Sequence, residues 1–172
     1  MLKVRKAVAA DIDGLIPLLE RFMRETFAAE WNGNREALLR DGLGSRFDLF
    51  VAESEERLIG FAGVAPDYDL HNCVHGGVVM DMFVEKAWRG RGVAAHMITL
   101  IAVEIEGKGG RYVKTQATAE ESKALARRVA VTFPGVHCVV GGRAFRRLAE
   151  LHGCSAREIL RGLPPRSWNW EP

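Results

Sequence analysis

Gly90 and Gly92 flank Arg91 in the run Trp88-Arg89-Gly90-Arg91-Gly92-Val93-Ala94-Ala95, a few residues after an apolar stretch that ends at Val84. Glycines in such a turn let backbone N–H groups point inward on an anion with no Cβ in the way. A helix that starts just after them adds its own unpaired N–H groups and the positive end of its dipole. Strand, glycine turn and helix together make a cradle for a pyrophosphate. Upstream, Asp81 is a charged residue inside the otherwise apolar Val78 to Val84. A carboxylate there either attracts and deprotonates an amine or is a solvated aspartate at a sheet edge. Farther back, His71-Asn72-Cys73-Val74-His75 would put two imidazoles and a thiol on one face of an extended chain. Zinc wants a fourth ligand in tetrahedral geometry, and no CxxC or HxxxH pair supplies one, so the segment is read as a substrate-side loop and no metal is expected. Asp67, Tyr68 and Asp69 beside it line an amine pocket or form a polar turn after Pro66.

Two other phosphate motifs compete for the glycine turn. Gly90-x-Gly92-x-x-Ala95 has the outline of a dinucleotide fingerprint, but there the glycines follow the strand directly, whereas five residues including Trp88 intervene here, and the next acids, Glu104 and Glu106, fall inside the following helix. A Walker loop is excluded because no Gly-Lys-Ser/Thr stands at the required spacing.

The elements that must hold these residues follow from apolar spacing. Ile12, Leu15, Ile16, Leu18, Leu19 and Phe22 recur at helical intervals and predict a helix over about Asp11 to Glu25, with Pro17 in its early turns. Asn34 to Arg40 predicts a short second helix, and Phe47 to Ala52 alternates as a strand. Glu55-Glu56 joins that strand to Leu58 to Val64 as an antiparallel hairpin, and Pro66 to Gly77 reads as a longer connection. Val78 to Val84 is a third strand. A helix from about Gly92 to Glu106 buries Val93, Met97, Leu100, Ile101 and Ile105, and glycines 107, 109 and 110 stop it. Arg111 to Thr118 is a further strand, Glu120 to Val131 a helix, Val136 to Val140 a strand and Arg143 to His152 a last helix. The order begins helix, helix, strand, and the class is mixed α/β with a mainly antiparallel sheet flanked by helices.

At the glycine turn the sequence resembles the GNAT N-acetyltransferase superfamily, whose acyl-CoA signature, Arg/Gln-x-x-Gly-x-Gly/Ala, is matched by Arg89-x-x-Gly92-x-Ala94 after the strand Asp81-x-Phe83-Val84. The order of elements is similar to that family through about residue 118. The resemblance implies that acetyl-CoA lays its pyrophosphate against the backbone of Arg89, Gly90, Arg91, Gly92, Val93 and Ala94, with its pantetheine arm beside Met82, Phe83 and Val84. It further implies direct attack of a neutral amine on the thioester, with a strand amide holding the developing negative charge and no metal involved. An alkylammonium near pKa 10 is only about one part in a thousand free base at neutral pH, so a carboxylate or a water chain must help remove its proton. Asp81 is the candidate, since acids on similar strands of small-amine members of the superfamily attract or deprotonate the amine. Polyamine acetyltransferases hold glutamate at the neighbouring position, and that position is Met80 here, so Asp81 serves either as base or in steering. The family's usual general acid, a tyrosine in a pattern like Tyr-x-x-x-Gly-Phe, is missing. Position 149 is Ala, the earlier helix offers Arg127 and Arg128, and Tyr68 and Tyr112 lie outside both helices, leaving Ser122 or water for the role. A thiolate near pKa 8.5 is already a tolerable leaving group, so turnover does not require the acid.

Composition sets the outer limits. In 172 residues, 48% apolar and 27% charged is a globular balance, which excludes a disordered or collagen-like chain. One domain over residues 1–172 is expected, with an atypical C-terminal segment from about 119 and an irregular tail over 164–172. The longest apolar stretches are far below the roughly 20 residues that cross a bilayer, so no membrane partner is expected. Met1 to Ala10 lacks the apolar core of a secretory signal, and three sparse cysteines (Cys73, Cys138, Cys154) suit free thiols and a cytoplasmic setting. The net charge of +2 hides an acidic first part, with 13 Lys+Arg against 17 Asp+Glu over residues 1–110, and a basic remainder with 11 against 5. Trp31, Trp168 and Trp170 read as packing or interface residues, and Trp88 as a brace for the glycine turn. Leu148 to Leu160 has the spacing of a helix-turn-helix, ringed by Arg143, Arg146, Arg147, Arg157 and Arg161. A non-catalytic acyl-CoA-binding or DNA-binding protein is therefore the alternative. Against it, Pro164-Pro165 follow at once, and a terminal helix packed on the sheet or a homodimer contact accounts for the same spacing. The reading adopted is an acetyl-CoA-dependent N-acetyltransferase that acts on a primary amine of a small molecule or peptide.

Overall fold

The computed structural model describes residues 1–117 together with 123, 127, 150, 151, 154, 155, 158, 161 and 162. The chain divides into two compact units, Met1–Val131 and Thr132–Pro172. Among the described residues of the first, five strands stand in sequence order: β1 (Lys3–Lys6), β2 (Asp48–Ser54), β3 (Arg57–Asp69), β4 (Val74–Val84) and β5 (Val113–Thr115). The pairs β1–β2, β2–β3 and β3–β4 are antiparallel, and β4–β5 is parallel. With them stand the helices α1 (Ile12–Phe27), α2 (Arg35–Asp41) and α3 (Val93–Gly107).

Apolar residues of the strands alternate between two layers, as the pleat requires. On one face α3 lays Val93, Met97 and Ile101 over Phe50, Ala52, Ile59, Ala62, Val64, Val79 and Val84. On the other, Ile12, Leu15, Leu18 and Phe22 of α1 cover Leu49, Val51, Phe61 and Phe83. Fully burying each of these larger side chains is worth about 1.5–3 kcal/mol, so both helices are held by their apolar faces. The short α2 starts as the sequence indicates, with the Asn34 side chain accepting from the Ala37 N–H at 2.7 Å.

Three sequence expectations are corrected. The order opens with a strand, because Lys3–Lys6 pairs with the outer edge of β2. The stretch Pro66 to Gly77 is no loop. β3 runs on to Asp69 and β4 starts at Val74, so only a tight turn at 70–73 separates them. Pro66 is tolerated because it pairs with Gly77, whose N–H goes instead to the Tyr112 carbonyl on the β5 side; the donor that proline lacks would face the margin of β3 that β2 no longer covers. Of the strand expected over Arg111 to Thr118, the described residues form Val113–Thr115 only. The Glu55-Glu56 hairpin holds, with both residues left-handed (φ 52° and 60°) as a two-residue turn demands.

Cys73 and Cys154 are free thiols. Among the described residues no helix is long and apolar enough to cross a membrane. The elements expected over 120–131, 136–140 and 143–152, Ser122, and most of the helix-turn-helix-like 148–160 lie outside the described residues. In the second unit, Ser155 and Glu158 cap each other: the Ser155 N–H and hydroxyl both donate to the Glu158 carboxylate, and the Glu158 N–H reaches the Ser155 oxygen.

Candidate active site

The site is organised by one extra residue in β4. Gly63 pairs with Asp81 but Val64 pairs with Val79, which leaves Met80 unmatched in a β-bulge. Val79 packs in the α3-side layer and Phe83, four residues on, in the α1-side layer, a change of face that strict alternation forbids and the bulge supplies. Asp81, two residues before Phe83, therefore shares the α1 side of the sheet. Pairing between β4 and β5 also stops at Val79, so among the described residues β4 has no neighbour on that side from Met80 onward.

That open margin carries backbone donors. The Glu85 N–H bonds the Ile59 carbonyl, so by the alternation of an antiparallel ladder the Phe83 N–H points toward β3 and the N–H groups of Met82 and Val84 point away from it. The Val84 carbonyl, on the same outward side, accepts from Arg89 Nε at 2.9 Å. Arg89 is thus a strut: its Nη2 reaches Glu25 of α1 at 2.6 Å and its guanidinium lies 5.4 Å from the centre of the Phe83 ring. With its side chain so engaged, Arg89 offers the turn its backbone.

The turn itself is as the glycines require. Gly90 and Gly92 have φ of 73° and 80°, which a side chain rarely adopts, and a Cβ at either would meet no atom within 4 Å. Glycine stands there for its backbone, and the space it leaves opens outward. Gly92 caps α3 without a side chain, and the first helical bond runs from the His96 N–H to the Gly92 carbonyl. The N–H groups of Val93, Ala94 and Ala95 precede that bond and face the turn. Trp88 packs on the α3-side layer with Arg91 5.1 Å above its ring, so it braces the turn from beneath. A row of backbone donors, with an open strand margin beside it, matches an extended ligand that has an anionic end and a narrow arm.

Asp81 stands at the surface of the sheet with no ion pair among the described residues. Surrounding atoms nevertheless strip water from its carboxyl, and this desolvation pushes it above the ordinary carboxylate range. Such a group gains by meeting a cation and is suited to take a proton. The other candidates are spoken for. Asp67 accepts from the Tyr112 hydroxyl at 2.7 Å and pairs with Lys114 at 2.7 Å, and Asp69 closes the 70–73 turn by accepting from the His71 N–H. His75 meets the edge of Tyr68 at 4.8 Å, and Cys73 donates to the Leu70 carbonyl. No group of three His, Cys, Asp or Glu among the described residues is placed to hold a metal ion.

Sequence reasoning missed the supports. Glu85, with only 7% of its side chain exposed, is paired with Arg21 of α1 and with Arg57 of β3, the latter at 2.8 Å. Glu25 anchors Arg89. These partners lie 28 to 64 residues apart, and no spacing rule links them.

The model of the acetyltransferase (GNAT) family matches residues 13–130. Comparison of the sequence with curated proteins returns no match. Among solved structures, the chain is similar to an aminoglycoside acetyltransferase from an uncultured soil metagenomic sample in complex with sisomicin, with a TM-score of 0.68 and 19% identity over 81% of this chain and 95% of that one. A ribosomal-protein-alanine N-acetyltransferase from Brucella melitensis gives 0.66 and 17%, covering 81% and 98%. A predicted acetyltransferase from Clostridium acetobutylicum, crystallised with acetyl-CoA, gives 0.66 and 19%, covering 88% and 99%.

Proposed function

The chain belongs to the GNAT family of acetyltransferases, and from that premise we propose that it moves an acetyl group from acetyl-CoA to a primary amine of a small molecule or peptide. The observation that carries the reading is the open margin of β4, with the outward N–H groups of Met82 and Val84, running into the left-handed Gly90–Gly92 turn and the start of α3. The donors fit the group: amides of the turn and of Val93 and Ala94 receive the pyrophosphate, and the strand margin receives the pantetheine arm. Acetyl-CoA supplies an activated thioester. Each other task falls to this chain. The outward strand amides donate to the thioester oxygen as it gains charge, a stabilisation that grows toward the transition state. Asp81, exposed at the sheet surface, raised by desolvation and without an ion-pair partner among the described residues, draws the acceptor ammonium to the α1 side of the sheet and takes its proton. Solved relatives that act on an aminoglycoside and on a ribosomal protein support an amine acceptor and leave small molecule and peptide both in play.

Isothermal titration of the wild type and Gly92→Asp with acetyl-CoA tests the assignment before any acceptor is known. The wild type should bind at micromolar concentration, and the variant at least about tenfold more weakly, since a carboxylate then faces the pyrophosphate. A folded wild type that gives no heat at two temperatures, or a folded variant of equal affinity, overturns it. Thiol release with aminoglycosides, polyamines and peptide amines then sorts the acceptors.

A further inference from the structure

The last turns of α1 grip the segment that links β4 to the glycine turn. Arg21 and Glu25, one helical turn apart, face Glu85 and Arg89, which bracket the short 3-10 turn Lys86–Trp88. The charges run in opposite order on the two pieces, positive then negative on the helix and negative then positive on the segment, so each end is paired and a shift by one turn would set like charges together. Glu85 is buried and also bound by Arg57, which fixes the near end. At the far end Arg89 is held on three sides, by the Glu25 carboxylate, the Val84 carbonyl and the Phe83 ring.

We infer that Arg21 and Glu25 are positioning residues for the cofactor turn, setting the place of the Gly90–Gly92 backbone from a helix that does not itself touch the ligand. The assignment rests on the acetyl-CoA reading above and adds to it where the turn's pre-organisation comes from. The Glu25–Arg89 pair lies at the rim, with side-chain exposures of 40% and 37%, while Arg21 meets the buried Glu85 from outside. Rim pairs add little to global stability, but a turn that spends less time in its binding geometry binds in proportion more weakly. The same helix covers Phe83 on the side where Asp81 stands, so α1 is the common mount of both halves of the site.

The test is Glu25→Gln, which removes the carboxylate charge and leaves the Arg89 bond to Val84. Asp13→Asn, which cuts the exposed Asp13–Arg35 pair on the same helix, is the matched control. Acetyl-CoA affinity is read by titration, S-acetylpantetheine, which lacks the pyrophosphate, by ligand-observed NMR, and the fold by thermal melting. Glu25→Gln should bind acetyl-CoA about 3- to 10-fold more weakly, bind S-acetylpantetheine as the wild type does and melt within about 2 °C of it, while Asp13→Asn should match the wild type throughout. A Glu25→Gln variant with wild-type acetyl-CoA affinity, or one that loses both ligands equally, overturns the clamp. A wild type that fails to bind acetyl-CoA overturns the acetyltransferase reading itself, a result the variants do not imitate.

Discussion

The Asp81 side chain stands at the surface and meets no cation among the described residues, yet nearby atoms remove enough of its water to favour the neutral form. Its folded-state pKa is raised above the unfolded value, so the folded chain holds the proton more tightly, and that advantage fades as pH rises through the folded value. At pH 7 the wild type therefore carries a charge the fold would rather not have. The side chain is exposed and solvent screens most of this cost, so Asp81→Asn should raise the melting temperature by at most about 1 °C at pH 7 and by nothing measurable near pH 3.5. The same variant should lower the acetylation rate at least about tenfold, with acetyl-CoA affinity unchanged. Melting curves at the two pH values and initial rates check both, and equal rates would remove Asp81 from the site. The sequence marks Asp81 as a charge in an apolar strand. It does not mark the side of the sheet, because that depends on the unmatched Met80, whose bulge has no composition of its own.

Among the elements, β3 and β4 approach closely at Gly60, where a Cβ would stand 2.7 Å from the Phe83 carbonyl oxygen. That neighbour is backbone and cannot swing aside, so Gly60→Ala should cost about 2 kcal/mol and lower the melting temperature by about 4–8 °C, as calorimetry would show. A change below 1 °C would mean the ladder yields there. The glycine turn was legible because positive φ selects a residue type. α1 and α3 were legible because each buries one stripe. The outer part of β3 and β4 was not, since Pro66, Asp67, Asp69, Gly76 and Gly77 are turn formers used here inside strands, with Tyr112 lying over Gly76 and Ile105 over Gly77. β1 was missed because a four-residue strand at the sheet margin needs little apolar content. The Arg21–Glu85 and Glu25–Arg89 pairs bridge 64 residues each and leave no local trace.

For the molecule as a whole, β1 is tied down by carboxylates that acid would neutralise. Arg5 holds the Asp11 carboxyl below the ordinary range, through hydrogen bonds of 2.6 and 2.8 Å. At Asp48 burial pushes the carboxyl up, but Lys108 and Lys6 outweigh it and the result is again low. Groups lowered on folding add stability that is complete above their unfolded value and is lost as pH falls through the folded one. The melting temperature should fall by at least about 5 °C between pH 5 and pH 3, and Arg5→Gln should start lower and fall less. Parallel acid limbs in the two proteins would exclude the Asp11 pair as a source. Position 80 has a consequence of another kind. Residues up to Val79 and residues from Asp81 onward belong to opposite phases of a two-residue period, and a single amino acid of length reconciles them. Many side chains can stand at that exposed place, whereas a chain one residue shorter would turn part of the strand inside out. What descent must preserve at position 80 is a count: substitution is cheap there and deletion is not.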